Sequence, residues 1–258
     1  MTLIKELYAY REMIYSLVKR DLKGRYKGSV LGFAWTFLNP LLQLAVYTLV
    51  FSVIMRSGIK DYYNYLFVAL VPWIFFSACI SSGASCIRGQ GDMIKKIYFP
   101  REVIPVSFVT SQFVNMVLSF LVVFLVLFFA GKTFNPVAYA VLPLVMIIEY
   151  FMALGMTLII CGVTVYWRDV EYIMGIISMA WQFATPVMYG IDQIPEELVP
   201  FFNLNPMTHV IVAYRDILYY GKVPEMQTLL NALIFGIATL IIGELLFGRL
   251  QRHFAEEL

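Results

Sequence analysis

The chain has 258 residues, 60% of them hydrophobic and only 14% charged, with a formal net charge of +2 and a mean hydropathy of +0.76. Soluble domains carry about 25% charged residues, so a single water-soluble core is excluded and the bilayer is the solvent for most of these side chains. The three cysteines, Cys79, Cys86 and Cys161, lie in or beside apolar runs. An odd count at that spacing suits neither zinc nor a disulfide framework, and they read as small hydrophobes.

The first thirty residues are charged and amphipathic. They lack the continuous apolar run of a cleavable signal, so the first span is expected to direct its own insertion. Over 3–22 the apolar positions Leu3, Leu7, Tyr10, Ile14, Leu17, Val18 and Leu22 recur at helical spacing, with Lys5, Glu6, Glu12, Lys19 and Arg20 largely off that face. Such a helix lies in the membrane interface with its cations toward anionic headgroups, either as an anchor or also touching a partner. Gly24, Gly28 and Gly32 follow at intervals of four. They permit either close helix approach or the bend from lying flat to spanning.

Five stretches are long and apolar enough to cross a bilayer: 33–55, 65–87, 103–130, 137–163 and 226–248. A sixth, 171–189, is shorter and ends near Pro186. Between the second and third spans lies RGQGDMIKKIYFPRE, residues 88–102. Asp92 is placed to cap a short helix over 93–98, and Pro100 to stop it. Met93, Ile94, Ile97, Tyr98 and Phe99 are apolar side chains on the water side, beside Lys95 and Lys96. Either they fold back on the bilayer or they enter a groove on another protein.

FFAGKTFN, residues 128–135, contains the Gly-Lys-Thr with which a phosphate-binding loop ends. That loop needs a glycine five positions before the Gly-Lys pair, where Val126 stands, and a preceding strand. Gly131, Lys132 and Thr133 are therefore read as a turn between spans. Glu149 sits mid-span in MIIEYFM, where a carboxylate is expensive. The reading favoured is a hydrogen bond to a neighbouring helix over a proton relay, because no second acid or histidine is near it in sequence. A tight loop follows at Tyr166-Trp167-Arg168-Asp169-Val170. The segment 191–224 carries Asp192, Glu196, Glu197, Arg215, Asp216 and Lys222, too many charges for a simple span. His209 has no companion at ligand spacing, so no metal site is expected.

With six spans both ends of the chain share one side. Fourteen of the nineteen Lys and Arg residues fall there: seven between Lys5 and Lys27, then Arg88, Lys95, Lys96, Arg101, Arg168, Arg249 and Arg252. The positive-inside rule makes that side cytoplasmic.

RDLKGRYKGSVLGFAWTFLNPLLQLAVYTLVFS (20–52), KKIYFPREVIPVS (95–107), VYWRDVEYI (165–173), TPVMY (185–189) and NLNPMTHVIVAYRDILY (203–219) run in order along nearly the whole chain. In these stretches it resembles the ABC-2-type permease subunits that export O-antigen, capsule and teichoic acid. The resemblance implies an all-α integral membrane protein with the type V (ABC-2) exporter fold, as one domain over 1–258. An amphipathic interface helix (1–30) precedes six transmembrane helices. A coupling helix occupies the cytoplasmic loop 88–101, and short re-entrant helices (191–224) dip into the outer leaflet between the fifth and sixth spans.

The same resemblance implies a homodimer with two separate ABC ATPase subunits, which bind the ATP and magnesium. No cofactor is expected in this chain, no nucleic acid as partner and no catalysis of its own. The site in a bacterial or archaeal cytoplasmic membrane follows, with a lipid-linked polysaccharide as cargo. Asp92, Met93, Ile94, Lys95, Lys96, Ile97, Tyr98 and Phe99 would dock on the ATPase, and Arg168 and Asp169 mark the second cytoplasmic loop. Lys23, Arg25 and Lys27, just before the first span, are candidates for the diphosphate headgroup, since cations at the inner leaflet hold phosphate. Trp35, Phe37, Tyr47, Trp181, Phe183 and Tyr189 are candidate channel-lining aromatics, which stack on sugar faces without gripping them.

Other readings are a teichoic-acid cargo, an exporter of drugs or lipids, and a proton-coupled flippase. The tiny loop 56–64 speaks against the second, and the lack of a repeat against the third. An enzyme acting on polyprenyl-linked sugars would need clustered acids. Asp21, Asp92, Glu102, Asp169 and Glu171 are scattered along the chain.

Overall fold

A computed structural model describes residues 2–25, 27–56, 58–132 and 134–257. All regular structure among them is helical, as a chain in hydrocarbon must arrange it when no water is present to hydrogen-bond free backbone groups. Two helices, α1 (Thr2–Ala9) and α2 (Arg11–Gly24), form the amphipathic segment. They join at Tyr10, whose backbone leaves helical geometry but keeps its bond to Glu6 O. The stripe is shared: Leu7, Tyr10, Ile14 and Leu17 pack on the body of the protein, while Val18 and Leu22 floor a groove open to the outside.

The bend between α2 and the first span is made by glycine. Gly28 and Gly32 have φ of +86° and +49°, and a Cβ on either would meet nothing within 4 Å. The spacing therefore serves chain direction and not close helix contact within this chain. A 3₁₀ turn then leads into α3 (Trp35–Thr48), which ends in a π-helical turn, Leu49–Ile54.

The other long helices are α4 (Tyr62–Ser81), α6 (Val103–Phe129), α7 (Pro136–Tyr166) and α11 (Met226–Leu250). Together with the α3 unit they are, among the described residues, the five helices long and apolar enough to cross a membrane. α4 is the centre of the body, buried around nearly its whole circumference. α3 and α8 (Asp169–Phe183) instead bury only a few side chains each.

The stretch expected to span at 171–189 is not one helix. α8 has 15 residues, about 22 Å of helix against a hydrocarbon core of about 30 Å. It stops because Pro186 disfavours helical geometry at the preceding residue and offers no N–H. Beyond it lie α9 (Val199–Leu204) and α10 (Pro206–Leu218), the latter almost wholly buried. Asn205 caps α10 by accepting from Met207 N at 3.1 Å, with Pro206 at the first helical position.

α7 and α11 form the spine. A Cβ on Gly155 would lie 2.4 Å from the Thr239 carbonyl carbon, and one on Gly243 2.5 Å from Gly155 O, so the two backbones touch. Glu149, also on α7, is fully buried and accepts from Tyr214 Oη of α10 at 2.6 Å. The mid-span acid thus has the interhelical partner expected of it. Arg215 and Asp216 do not pair; Asp216 reaches Lys222 Nζ at 3.2 Å.

Gly131 (φ +66°) and Lys132 form a turn, and Lys132 Nζ lies 3.0 Å from Asp61 Oδ2. Thr133 lies outside the described residues. The structure therefore has two chemically distinct ends. One gathers α1, α2, the 88–102 loop, the 166–170 loop and α12 (Phe254–Glu257). The opposite end gathers the turn at 131, α10 and the start of α4.

Gly155→Ala is expected to lower stability by about 1–3 kcal/mol, the usual cost of overpacking. Gly248→Ala, where a Cβ meets nothing within 4 Å, should be neutral or gain up to about 1 kcal/mol. Thermal unfolding of the purified chain in detergent measures both.

Candidate functional site

At the basic end, α5 (Gly91–Lys96) is one and a half turns long. Asp92 does not cap it. The N-cap is Gln90, without a side-chain hydrogen bond, and Asp92 lies inside the first turn. The helix begins earlier than expected because Gly91 extends it, and from its first turn Asp92 still favours the helix dipole.

The five apolar side chains divide, with Met93 half-buried against the core. Ile94 is 8% and Phe99 6% exposed, both within the body's core. Ile97 is 58% and Tyr98 96% exposed. The helix ends at Lys96, where Ile97 turns extended (φ −131°, ψ 135°). Past that turn Ile97 and Tyr98 stay outside while Phe99 re-enters the core.

Ile97 and Tyr98 border a cleft of about 730 Å³, together with Glu6, Tyr10, Gln251 and Arg252. In the second loop Trp167, Arg168 and Asp169 are exposed, and Arg88 Nη1 on the first loop donates to Glu171 Oε2 at 2.9 Å.

The three cations before the first span are separated by the fold. Arg25 turns inward: its Nε and Nη2 donate to Asp21 Oδ2 at 3.2 and 2.8 Å, and Nη1 donates to Gln112 Oε1 at 2.8 Å. Ser111 of α6 also donates to Asp21. These bonds fasten α2 to α6 and use most of the guanidinium's donors. Lys23 and Lys27 remain exposed and line the groove of about 1350 Å³ between α2, the segment leading into α3 and α6, with Arg11, Lys19 and Arg20. Ile14, Val18, Leu22, Phe33 and Val114 supply its apolar wall.

The candidate lining aromatics also divide. Trp35 and Phe183 are exposed, and Phe37 and Tyr47 are half-buried on α3. Tyr47 Oη accepts from Gln182 at 3.3 Å, which ties α3 to α8. Trp181 packs inward, edge-on to Phe76, with Nε1 donating to Asn205 Oδ1 at 2.9 Å. Tyr189 donates to Phe183 O.

Where α8 unwinds, its carbonyls are met by side chains. Asn205 Nδ2 donates to Ala184 O at 2.9 Å, Arg215 Nη2 to Val187 O at 2.7 Å and Tyr62 Oη to Met188 O at 2.8 Å. Tyr189 O receives Arg215 Nη1 at 3.2 Å and Tyr65 Oη at 3.3 Å. The Arg215 guanidinium also lies 3.8 Å over the Tyr65 ring. Among the described residues no group of three His, Cys, Asp or Glu side chains is placed to hold a metal.

A helical body with one basic end, displayed apolar side chains there and a broken helix at the opposite end invites comparison with known transporters. The family model described as ABC-2 type transporter matches residues 12–219. This chain belongs to the ABC-2 transporter family.

Relatives of this ABC-2 protein include an O-antigen export system permease from Myxococcus xanthus, 37% identical over 99% of both chains. One of the same description from Klebsiella pneumoniae is 30% identical over 95% of this chain and 94% of its own. A polysialic acid transport protein from Escherichia coli is 22% identical over 91% and 92%.

Of the features at the two ends of this ABC-2 protein, the carbonyl clamp by Tyr62, Tyr65, Asn205 and Arg215 was not foreseen. Its readable signals were Pro186 after an apolar helix and the Asn205-Pro206 helix start. Arg215→Ala should cost about 1–3 kcal/mol, because it strands the buried Val187 carbonyl. Arg215→Lys, with one donor point instead of a fork, is expected to recover less than half. Unfolding midpoints in detergent give both values.

Proposed function

We propose that this ABC-2 protein is the membrane subunit of an ATP-driven exporter that moves a lipid-linked polysaccharide of the O-antigen or capsule class out of the cytoplasm. The observation that carries it is the end-to-end similarity to export permeases, in a chain whose Gly131 and Lys132 form a turn and not a phosphate loop. Energy then comes from a separate ATPase that binds the ATP and magnesium. The fourteen cations on the side of the basic end support an orientation with that end, and both chain termini, toward the cytoplasm. Teichoic acid carries the same lipid-diphosphate chemistry, but no observation here favours it.

On this reading, Ile97 and Tyr98 with Lys95 and Lys96 dock on the ATPase. Two displayed apolar side chains flanked by cations are the kind of compact anchor that holds a transient interface. Ile94 and Phe99 hold the anchor to the body. The exposed faces of α3 and α8 meet a second copy of the chain, and the aromatics Trp35, Phe37, Tyr47, Phe183 and Tyr189 lie on or beside these faces. α8 with the clamped turn, α9 and α10 makes up the fifth crossing and the outer-leaflet helices. Lys23 and Lys27 attract the diphosphate headgroup while the apolar wall of the groove receives its lipid.

Replacing both Ile97 and Tyr98 by Asp is expected to weaken ATPase binding by about 30-fold or more, the equivalent of one hot spot of about 2 kcal/mol. Co-purification of the two subunits measures it, and undiminished complex would defeat the reading. Lys23→Ala with Lys27→Ala should lower stimulation of ATP hydrolysis by lipid-linked glycan and leave the unstimulated rate unchanged. Equal stimulation in the variant would remove the headgroup role.

A further inference from the structure

The 88–102 loop is fastened at both roots by contacts outside its own helices. Its entry is held by Arg88 and Glu171, which ties it to the first turn of α8. Its exit is held by the segment after α11. Gln251 Nε2 donates to Glu102 Oε1 at 2.5 Å, and Glu102 is only 6% exposed. The Arg101 guanidinium lies 5.8 Å over the Phe254 ring.

Phe254 is fully buried, edge-on to Tyr166 at 6.2 Å and to Phe247 at 5.5 Å. Tyr166, the last residue of α7, donates to Leu250 O at 2.8 Å. Residues 250–254 therefore touch the first loop and the root of the second loop at once. Neither loop contacts the other through this segment without Gln251 and Phe254 between them.

We propose that residues 250–254 are a brace, with Gln251 and Phe254 as positioning residues. They make the docking loop, the end of α7 and the end of α11 move as one body. Tyr98 is only four residues before Glu102. A displacement of Ile97 and Tyr98 thus reaches α11 through Glu102 and Gln251, and α7 through Phe254 and Tyr166. α7 and α11 then carry it as a unit, because their backbones touch at Gly155 and Gly243. Without the brace the same displacement is absorbed by bending at Pro100, and it reaches the body only through α6 and, by way of Arg88 and Glu171, the first turn of α8, not through α7 and α11. The transport consequence rests on the export reading above. The mechanical one does not.

The test reverses one hydrogen bond. Gln251→Glu sets a second carboxylate against buried Glu102. Adding Glu102→Gln restores a donor and an acceptor with their places exchanged. Amide exchange of residues 97–102 in the purified chain, with no ATPase present, is expected to quicken about tenfold or more in Gln251→Glu and to return in the double variant, as the loss and recovery of one charge-assisted bond requires.

In the complex, Gln251→Glu should keep ATP hydrolysis within about twofold and lose about tenfold in export, the two readouts being separable only if coupling is at fault. The double variant should recover export. Tyr166→Phe, which removes one hydroxyl and no packing volume, should give the same split more weakly. Unchanged exchange in both single variants overturns the brace. So does a double variant that restores neither readout, and fast exchange with undiminished export overturns the transport consequence. Altered exchange in a chain that binds no ATPase would leave the brace standing and overturn the export reading instead.

Discussion

Hydrocarbon offers no hydrogen bonds, and that constraint shapes every part of this protein. A helix answers it internally, which is why, among the described residues, five long helices make up about half of the chain. The informative places are those where a helix stops. At the end of α8 the freed carbonyls of Ala184, Val187, Met188 and Tyr189 are taken by Asn205, Tyr62, Tyr65 and Arg215. A cation with several fixed donors suits the task better than water would, because it stays attached when the surroundings change. The broken helix is thereby held to α4 and α10, and the aromatic side chains beside it keep defined positions.

The two ends obey different rules. At the basic end the charged side chains are largely exposed, so polar contacts there are free to be directional fasteners and not obligatory satisfactions. Arg25 spends its donors on Asp21 and Gln112 and so sets α2 on α6. Lys23 and Lys27, without such partners on α6, are left facing the groove. One run of cations thus yields a structural pin and a charged surface. The same division appears in the 88–102 loop, where one pair of apolar residues anchors and the other is displayed.

Between the ends, rigidity comes from close approach of backbones. Packing between helices in lipid gains nothing from expelling water, so contact area and shape must supply the attraction. α7 and α11 achieve this with glycines at facing positions. A stiff pair of this kind passes on displacement without storing it, and it joins the basic end to the region of Glu149 and Tyr214.

Composition and periodicity alone determined the class of the protein. The bilayer as solvent, the approximate long helices, the amphipathic start and the turn at Gly131 and Lys132 follow from local patterns, and local patterns are what a sequence displays. The family was legible from ordered stretches such as 20–52 and 203–219, and a hydrogen bond for Glu149 from its depth. Tertiary structure decided which members of each pattern face which way. That Phe99 is buried while Tyr98 is displayed, that Arg25 turns from Lys23 and Lys27, and that Gln251 meets Glu102 depends on contacts between residues 87 to 149 positions apart. The length of α8 was also misjudged, because hydropathy continues through 184–189 while the backbone does not. A run of apolar residues records its affinity for lipid, but only distant partners determine whether its carbonyls need a helix.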